Sequence, residues 1–330
     1  MKKIHEKSVC CRGKVQRFGG RRRQCTICWK TWRVWKKRRG RDRTRTNSEL
    51  FERFLKHSIG SSVGRSNGSK SESRSMERQV ERSRDFFIRN TSWPQIPKAS
   101  ELILIADAKI IRIKCVWYTI HCMLLRGLGD TDAVVLPPVI IQGIENQENW
   151  RTALNTIPKR ESERIRAVVS DGHVGIINFA KGHFWIIQRC HFHLLSAIQH
   201  RRSRRHTARF PAEGMEIWTQ VKIVLETYSQ EETTSALKKI SLMSLTTTSR
   251  ELRSILRGFV KNYRHFRSYI NYPNLNLPIT SNTAESFIGR ISELLHRLRG
   301  LSSCSSLEKW IEALTKYKKQ IKCNGFNQPN

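Results

Sequence analysis

Three acidic residues sit where chain pattern could bring carboxylates together. Asp107 follows the apolar run Leu102-Ile103-Leu104-Ile105-Ala106, and Asp171 follows Ile165–Ser170 and precedes Gly172. Glu285 lies in Pro278–Phe287, ahead of an apolar stripe at helical spacing. Carboxylate oxygens are the proper ligands for hard Mg2+ or the similar Mn2+. Two such ions, roughly 3.5–4 Å apart, clamp the attacking and leaving oxygens of an in-line phosphoryl transfer. Singly, each acid has a plainer reading. Asp107 is then a strand-ending turn acid, and Asp171 belongs to an Asp-Gly turn. Glu285 is then a capping-box acid at the third position of a helix whose N-cap is Asn282. Capping and catalysis are compatible, and Glu293 is the nearest other acid on that helix that could serve as a third ligand.

A second set of groups can ligate softer metal. Cys25 and Cys28 have the two-residue spacing of a zinc knuckle, and Cys10 and Cys11 lie upstream, with His5 able to replace one of that adjacent pair. The expected unit is a ribbon with a short hairpin across Arg17–Arg23, stapled by Zn2+ because so few aliphatic residues surround it. The alternative is unliganded thiols in a basic arm. Arg21, Arg22, Arg23, Lys30, Arg33, Lys36, Lys37, Arg38 and Arg39 surround the knuckle, interleaved with Trp29, Trp32 and Trp35. Cations beside stacking surfaces are the make-up of a nucleic-acid binder. Cys190 and His193 have metal-ligand spacing but make an incomplete pair. A zinc site completed by His191 is one reading, and a structural or DNA-positioning role at a strand end is the other.

Charge names the partner class. The chain of 330 residues carries 61 Lys and Arg against 27 Asp and Glu, a formal charge of +34. Residues 1–46 hold 18 basic and 2 acidic side chains, a net of +16. A polyanion such as double-stranded DNA is implied, since each neutralised phosphate releases counterions. No apolar run approaches the roughly 18 residues of a membrane span, so no membrane partner is expected. The basic N-terminus has no apolar segment behind it, which argues against a secretory signal. Nine cysteines is an odd number, fitting reduced thiols in a cytoplasm.

These groups need elements to position them. In residues 47–95, Leu50, Phe51, Phe54 and Leu55 have helical spacing. A Gly/Ser-rich stretch follows from Ser58 to Ser75, and then Met76, Val80, Phe86 and Phe87 predict another helix. That pattern is open between a helix-turn-helix and a linker with incidental helix. Strands are predicted at 102–106, closed by Asp107, at 115–125 and at 133–141. A helix is predicted at 147–157, a strand at 165–170, a short helix, and a strand at 184–188. The class is α/β, and three strands, helix, strand, helix, strand is the order of an RNase H-like core. Beyond His193 only helices are predicted, at 215–228, 231–243 and 250–263, decorated by Arg201, Arg202, Arg204, Arg205, Lys261, Arg264 and Arg267. Those cations are either solvated helix faces or a clamp on DNA. The helix carrying Glu285 should stop at Gly300, and residues 305–322 should form a last amphipathic helix.

Four motifs carry a resemblance: Ile105-Ala106-Asp107; Val169-Ser170-Asp171-Gly172-His173; Gln188-Arg189-Cys190-His191-Phe192-His193; and Thr280-Ser281-Asn282-Thr283-Ala284-Glu285-Ser286-Phe287. They resemble the signatures of bacterial insertion-sequence transposases, in the group related to eukaryotic Mutator-like elements. Cys25-x-x-Cys28 with Lys30-Thr31-Trp32 is similar to the zinc-ribbon start of some members. The resemblance implies an RNase H-like core at 96–193 and 279–300, an all-helical insertion at 194–278 and a C-terminal helix and tail at 301–330. It implies an Asp-Asp-Glu triad of Asp107, Asp171 and Glu285, with Cys190 and His193 as a supporting motif. The implied activity is metal-dependent cleavage at transposon ends and strand transfer into target DNA, by a homo-oligomer in a bacterial cytoplasm, on the nucleoid. Two alternatives share these features. One is a non-catalytic DNA-binding regulator or decayed relic, which the adjacent Cys10-Cys11 pair favours and the intact acids oppose. The other is a metal-dependent nuclease acting on junctions or RNA, which would not require the helical insertion.

Overall fold

The computed structural model describes residues 14–17, 22–33, 51–52, 54–55, 70–202, 211–247, 249–298, 301 and 303–323. The chain divides into two compact units, Met1–Thr46 and Asn47–Asn330. In the smaller, β1 (Val15–Arg17), β2 (Arg22–Cys25) and β3 (Thr31–Arg33) form an antiparallel sheet. The expected hairpin is its first half, with Val15 opposite Cys25. The third strand returns after a turn at 26–28 and sets Thr31 opposite Gln24.

The larger unit opens, after Phe51 and Phe54, with α1 (Lys70–Asn90). Then come β4 (Leu102–Ile113), β5 (Val116–Gly127), β6 (Asp132–Val135), β7 (Val139–Gln142), α2 (Gln147–Leu154), α3 (Lys159–Ser162), β8 (Ile165–Ser170), α4 (Val174–Gly182) and β9 (Ile186–Arg189). Four helices follow, α5 (His191–Arg202), α6 (Pro211–Glu226), α7 (Gln230–Thr246) and α8 (Arg250–Phe266), then a short α9 (Ser268–Asn271). The chain finishes with α10 (Asn282–Arg297), α11 (Cys304–Lys318) and β10 (Gln320–Lys322). The strands make one mixed seven-stranded sheet in the order β10-β6-β5-β4-β8-β9, with β7 also on β5. Only β4, β8 and β9 run parallel to one another.

Alternation along β4 decides the layers. Ile103 and Ile105 face a core shared with Phe287, Ile291, Trp310 and Leu314 of α10 and α11. Leu102, Leu104 and Ala106 face the opposite core, with Trp150 of α2 and Ile176 and Ala180 of α4. A strand buried on both faces reads as a continuous apolar run, as this one does. Each fully buried side chain of this size contributes roughly 1.5–3 kcal/mol. Helices α5 to α8 have a separate core of Ile198, Ile217, Val221, Ile240, Leu256 and Phe259. This block is tied to β9 by polar groups: the Ser268 hydroxyl donates to Ile187 O (2.7 Å), and the Gln188 side chain donates to Phe266 O (3.1 Å) and accepts from Tyr269 N (3.0 Å).

Several expectations need correcting. Asp107 does not close its strand; β4 continues to Ile113, because β5 pairs with it along its whole length. Lys114 and Cys115 take positive φ (43° and 68°) at the tight connection, so Cys115 precedes β5. The single strand foreseen at 133–141 is two, since Pro137 and Pro138 lack the N–H a ladder needs. The last helix ends at Lys318, and residues 320–322 pair with β6 instead. The helix of α1 begins at Lys70, inside the stretch read as Gly/Ser-rich spacer. Phe51 and Phe54 pack on Trp310 (centroids 6.2 and 5.0 Å), and Val80 joins the same core, so this segment shares the core of the sheet. Arg267, read as a possible DNA contact, is 6% exposed, caps α8 and donates to Val224 O. Arg204, Arg205 and Gly300 lie outside the described residues, as do the side chains of Arg201 and Arg202. No helix among the described residues is long and apolar enough to cross a membrane.

Candidate active site

Three parallel strands meet at one edge of the site: β8 and β9 end there, and β4 runs past it. Ile105 pairs with Val169, so Asp107 and Asp171 lie two residues beyond the same rung. Ser170 pairs with Arg189, so Asp171 and Cys190 each lie one residue further on. Pairing of β4 with β8 stops after Ile105, which opens the edge where Asp107 stands. The Asp107 carboxylate accepts from Ala108 N (2.8 Å). Asp171 Oδ1 accepts from His173 N (2.9 Å), the expected Asp-Gly turn, with Gly172 at φ +94°. His173 then caps α4, its Nδ1 accepting from Gly175 N (3.1 Å). The turn is held from β9, because Arg189 donates to Asp171 O (3.1 Å) while its guanidinium lies over the Phe266 ring.

Two helix starts complete the edge. Cys190 immediately precedes α5 and His193 is in its first turn. Glu285 is in the first turn of α10. The segments are cross-bonded: His191 N donates to Ile279 O (2.9 Å), and Ser281 N donates to Cys190 Sγ (3.2 Å). His193 Nδ1 stands 3.5 Å from Glu285 Oε1. The capping box at Glu285 is not formed. Ser281, not Asn282, is the N-cap and makes no side-chain cap hydrogen bond. Glu285 is therefore the fourth helical residue, one place too late, and its Oε1 accepts from the Ser281 hydroxyl (3.1 Å).

Charge in this corner is costly. Burial pushes the Asp107 carboxyl up to about 7, with Asp171 and Glu285 raising it further against the opposing Ala108 amide and His193. His193 is pushed up to about 9, first by its hydrogen bond with the Cys190 side chain and then by the charges of Cys190, Asp107 and Glu285, while burial opposes the shift. Two like-charged neighbours and partial desolvation make a carboxylate that binds either a proton or a cation. Hard oxygen donors of this kind suit Mg2+ or Mn2+. Among the described residues, Cys190, His193 and Glu285 are the group of His, Cys and acids whose ligand atoms all lie within 4.8 Å of one another. His191, read as a possible third zinc ligand, instead turns its Nε2 to Phe266 O at 2.7 Å.

Two supporting residues were missed by sequence reading. Arg189 orients the Asp171 turn, and Ser281 joins both Cys190 and Glu285. Their signal was local: Gln188-Arg189 interrupts an otherwise apolar strand, and Ser281 directly precedes the helix. Farther back, the buried Arg126 of β5 donates to Leu275 O (3.2 Å) and Asn276 O (2.7 Å), fixing the turn from which the chain enters α10.

In the smaller unit, Cys25 is fully buried and Cys28 exposed. Ile27 N donates to Cys25 Sγ (3.4 Å), and Cys25 N donates to Lys30 O (3.0 Å). Trp29 follows with φ 58° and is 68% exposed. Arg22 and Lys30 are exposed, Arg23 is half-buried, and Arg33 is on β3. Cys10, Cys11, Arg21, Lys36, Lys37, Arg38 and Arg39 lie outside the described residues.

A family model described as transposase, Mutator family, matches residues 104–315, more than half of the chain and all of the sheet edge just described. No curated protein matches.

Proposed function

The chain belongs to the Mutator family of transposases, and from that premise we propose that it cuts and joins DNA with Asp107, Asp171 and Glu285 as the ligands of Mg2+ or Mn2+. The observation that carries the reading is Asp107: a half-buried carboxyl held up to about 7 by burial and by the other two acids. That arrangement costs stability unless a cation compensates it. The strand order supports an RNase H-like core, with α5 to α9 as a helical insertion ahead of the third acid. Bound metal would lower the pKa of water and neutralise charge on the phosphoryl group. The protein's own residues do the positioning. Arg189 and the Gly172 turn aim Asp171, Ser281 orients Glu285, and the β4–β8 register spaces Asp107 from Asp171. Water attack on a phosphodiester at the element's end would break the P–O3′ bond, leaving a 3′-hydroxyl and a 5′-phosphate. The freed 3′-hydroxyl would then attack a target phosphodiester and displace its 3′-oxygen.

In the smaller unit, the amide donated to Cys25 Sγ and the turn between Cys25 and Lys30 support a zinc knuckle with Cys28. Cys10 and Cys11 would supply the remaining ligands, and the basic strands would bind phosphates.

Glu285→Gln tests the core reading. Gln keeps the shape and can still accept from Ser281, so the melt should move by no more than about 1 kcal/mol. Mg2+-dependent nicking of DNA bearing the element's ends should fall by more than about a hundredfold. Asp107→Asn and Asp171→Asn should match that loss without adding to it, because the acids act as one unit. Near-normal nicking by Glu285→Gln would return Glu285 to a structural role. A third ligand would then be sought elsewhere, and Glu293 is already paired with Arg290 (3.3 Å) and Arg297 (3.8 Å).

A further inference from the structure

We infer that Cys190, His193 and Glu285 form a second metal seat, selective for a thiophilic ion such as Zn2+, that shares Glu285 with the magnesium site. A sulfur, an imidazole nitrogen and a carboxylate oxygen converge within 4.8 Å. Zinc takes these donors at about 2.3, 2.0–2.1 and 2.0–2.2 Å, which spaces tetrahedral ligand atoms roughly 3.3–3.7 Å apart. His193 Nδ1 and Glu285 Oε1 already stand at 3.5 Å. That nitrogen is buried and lies beside the Cys190 side chain and Glu285 Oε1 without meeting full hydrogen-bond geometry, so a cation between the three would satisfy it better. The sulfur is prepared as well: Ser281 N donates to Cys190 Sγ (3.2 Å), as Ile27 N does to Cys25 Sγ in the knuckle (3.4 Å). Magnesium has no use for sulfur or imidazole, so two of the three donors are surplus to the oxygen-ligated site.

Binding displaces the Cys190 thiol proton and the His193 imidazolium proton to solvent and leaves the fourth position for water. The ion would pin the start of α5 to the start of α10 and compete with Mg2+ for Glu285. The seat itself is read without DNA and without magnesium; only its sharing of Glu285 rests on the transposase reading.

The test uses the full chain carrying Cys10→Ser, Cys11→Ser, Cys25→Ser and Cys28→Ser, so that the candidate knuckle thiolates are gone. Titrated with Co2+, this protein should develop a near-ultraviolet thiolate-to-cobalt band and the visible bands of tetrahedral Co2+, saturating near one equivalent and bleached by Zn2+. Adding Cys190→Ser should abolish the near-ultraviolet band, and adding Glu285→Gln should weaken cobalt binding by about 10–100-fold. Cys190 is fully buried; should its variant not fold, Glu285→Gln and His193→Asn, at half-buried positions, carry the test alone. The inference is overturned if no near-ultraviolet band forms, if the band survives Cys190→Ser in a folded protein, or if Glu285→Gln and His193→Asn leave cobalt affinity unchanged. None of those outcomes touches magnesium-dependent nicking.

Discussion

Asp107 is the residue whose surroundings make the sharpest demand. Its carboxyl, raised to about 7, must lose a proton before it can ligate metal. Mn2+ affinity of the DNA-free chain should therefore fall by up to about tenfold per pH unit below 7. Ordinary carboxylates would begin to fail only near pH 4. Calorimetric titration at pH 5.5, 6.5 and 7.5 checks this, and equal affinity at all three would remove Asp107 from the ligand set. Without metal, stability runs the other way. The folded pKa lies above the unfolded one, so the folded state holds more protons between about pH 4 and 7 and loses stability as pH rises through that window. His193, raised to about 9, stabilises the fold most below its unfolded value near 6.5, and that contribution is lost as pH rises through 9. Asp107 was legible as an acid after an apolar run. Its neighbours were not, because Asp171 and Glu285 reach it only through strand pairing and a helix start far along the chain.

At the scale of elements, the Asp171 turn is the hinge of the site. Gly172 sits at φ +94°, and a Cβ there would collide with the Arg189 guanidinium. Gly172→Ala should cost about 1–3 kcal/mol from backbone strain alone, read as a lowered melting temperature. It should also reduce nicking, because Arg189 holds the Asp171 carbonyl. An unchanged melt with full nicking would mean that the turn tolerates a side chain and that Arg189 does not aim Asp171. The apolar strands at 102–106 and 165–170 and the helical patterns before Glu285 could be read from periodicity. The extension of β4 to Ile113 could not, since Asp107, Lys109 and Arg112 mask it; β5 supplies the ladder that keeps it extended.

For the whole molecule, charge and the division into units make a joint prediction. About half of the +34 formal charge lies in residues 1–46, the smaller compact unit. Full-length chain bound to DNA should show affinity falling steeply with salt, by about 0.9 in log–log slope per phosphate neutralised. Deleting residues 1–46 should flatten that slope, and fluorescence anisotropy over a salt series measures it. A slope that stays the same would place the DNA contacts wholly on residues 47–330. The family match begins at residue 104, so any role of the basic unit rests on its own chemistry.

Local pattern alone determined the buried strands, the polyanionic partner and the pairing of residues 15–17 with 23–25, because periodicity, net charge and turn spacing are short-range properties. Tertiary structure decided the rest. Register placed Asp107 beside Asp171 and Asp171 beside Cys190, and the return of α10 brought Ser281 and Glu285 to the Cys190–His193 segment. It also placed Phe51, Phe54 and Val80 in the core around Trp310. Those outcomes depend on which surfaces meet across long stretches of chain, as when Phe51 meets Trp310, and no short window of sequence contains both partners.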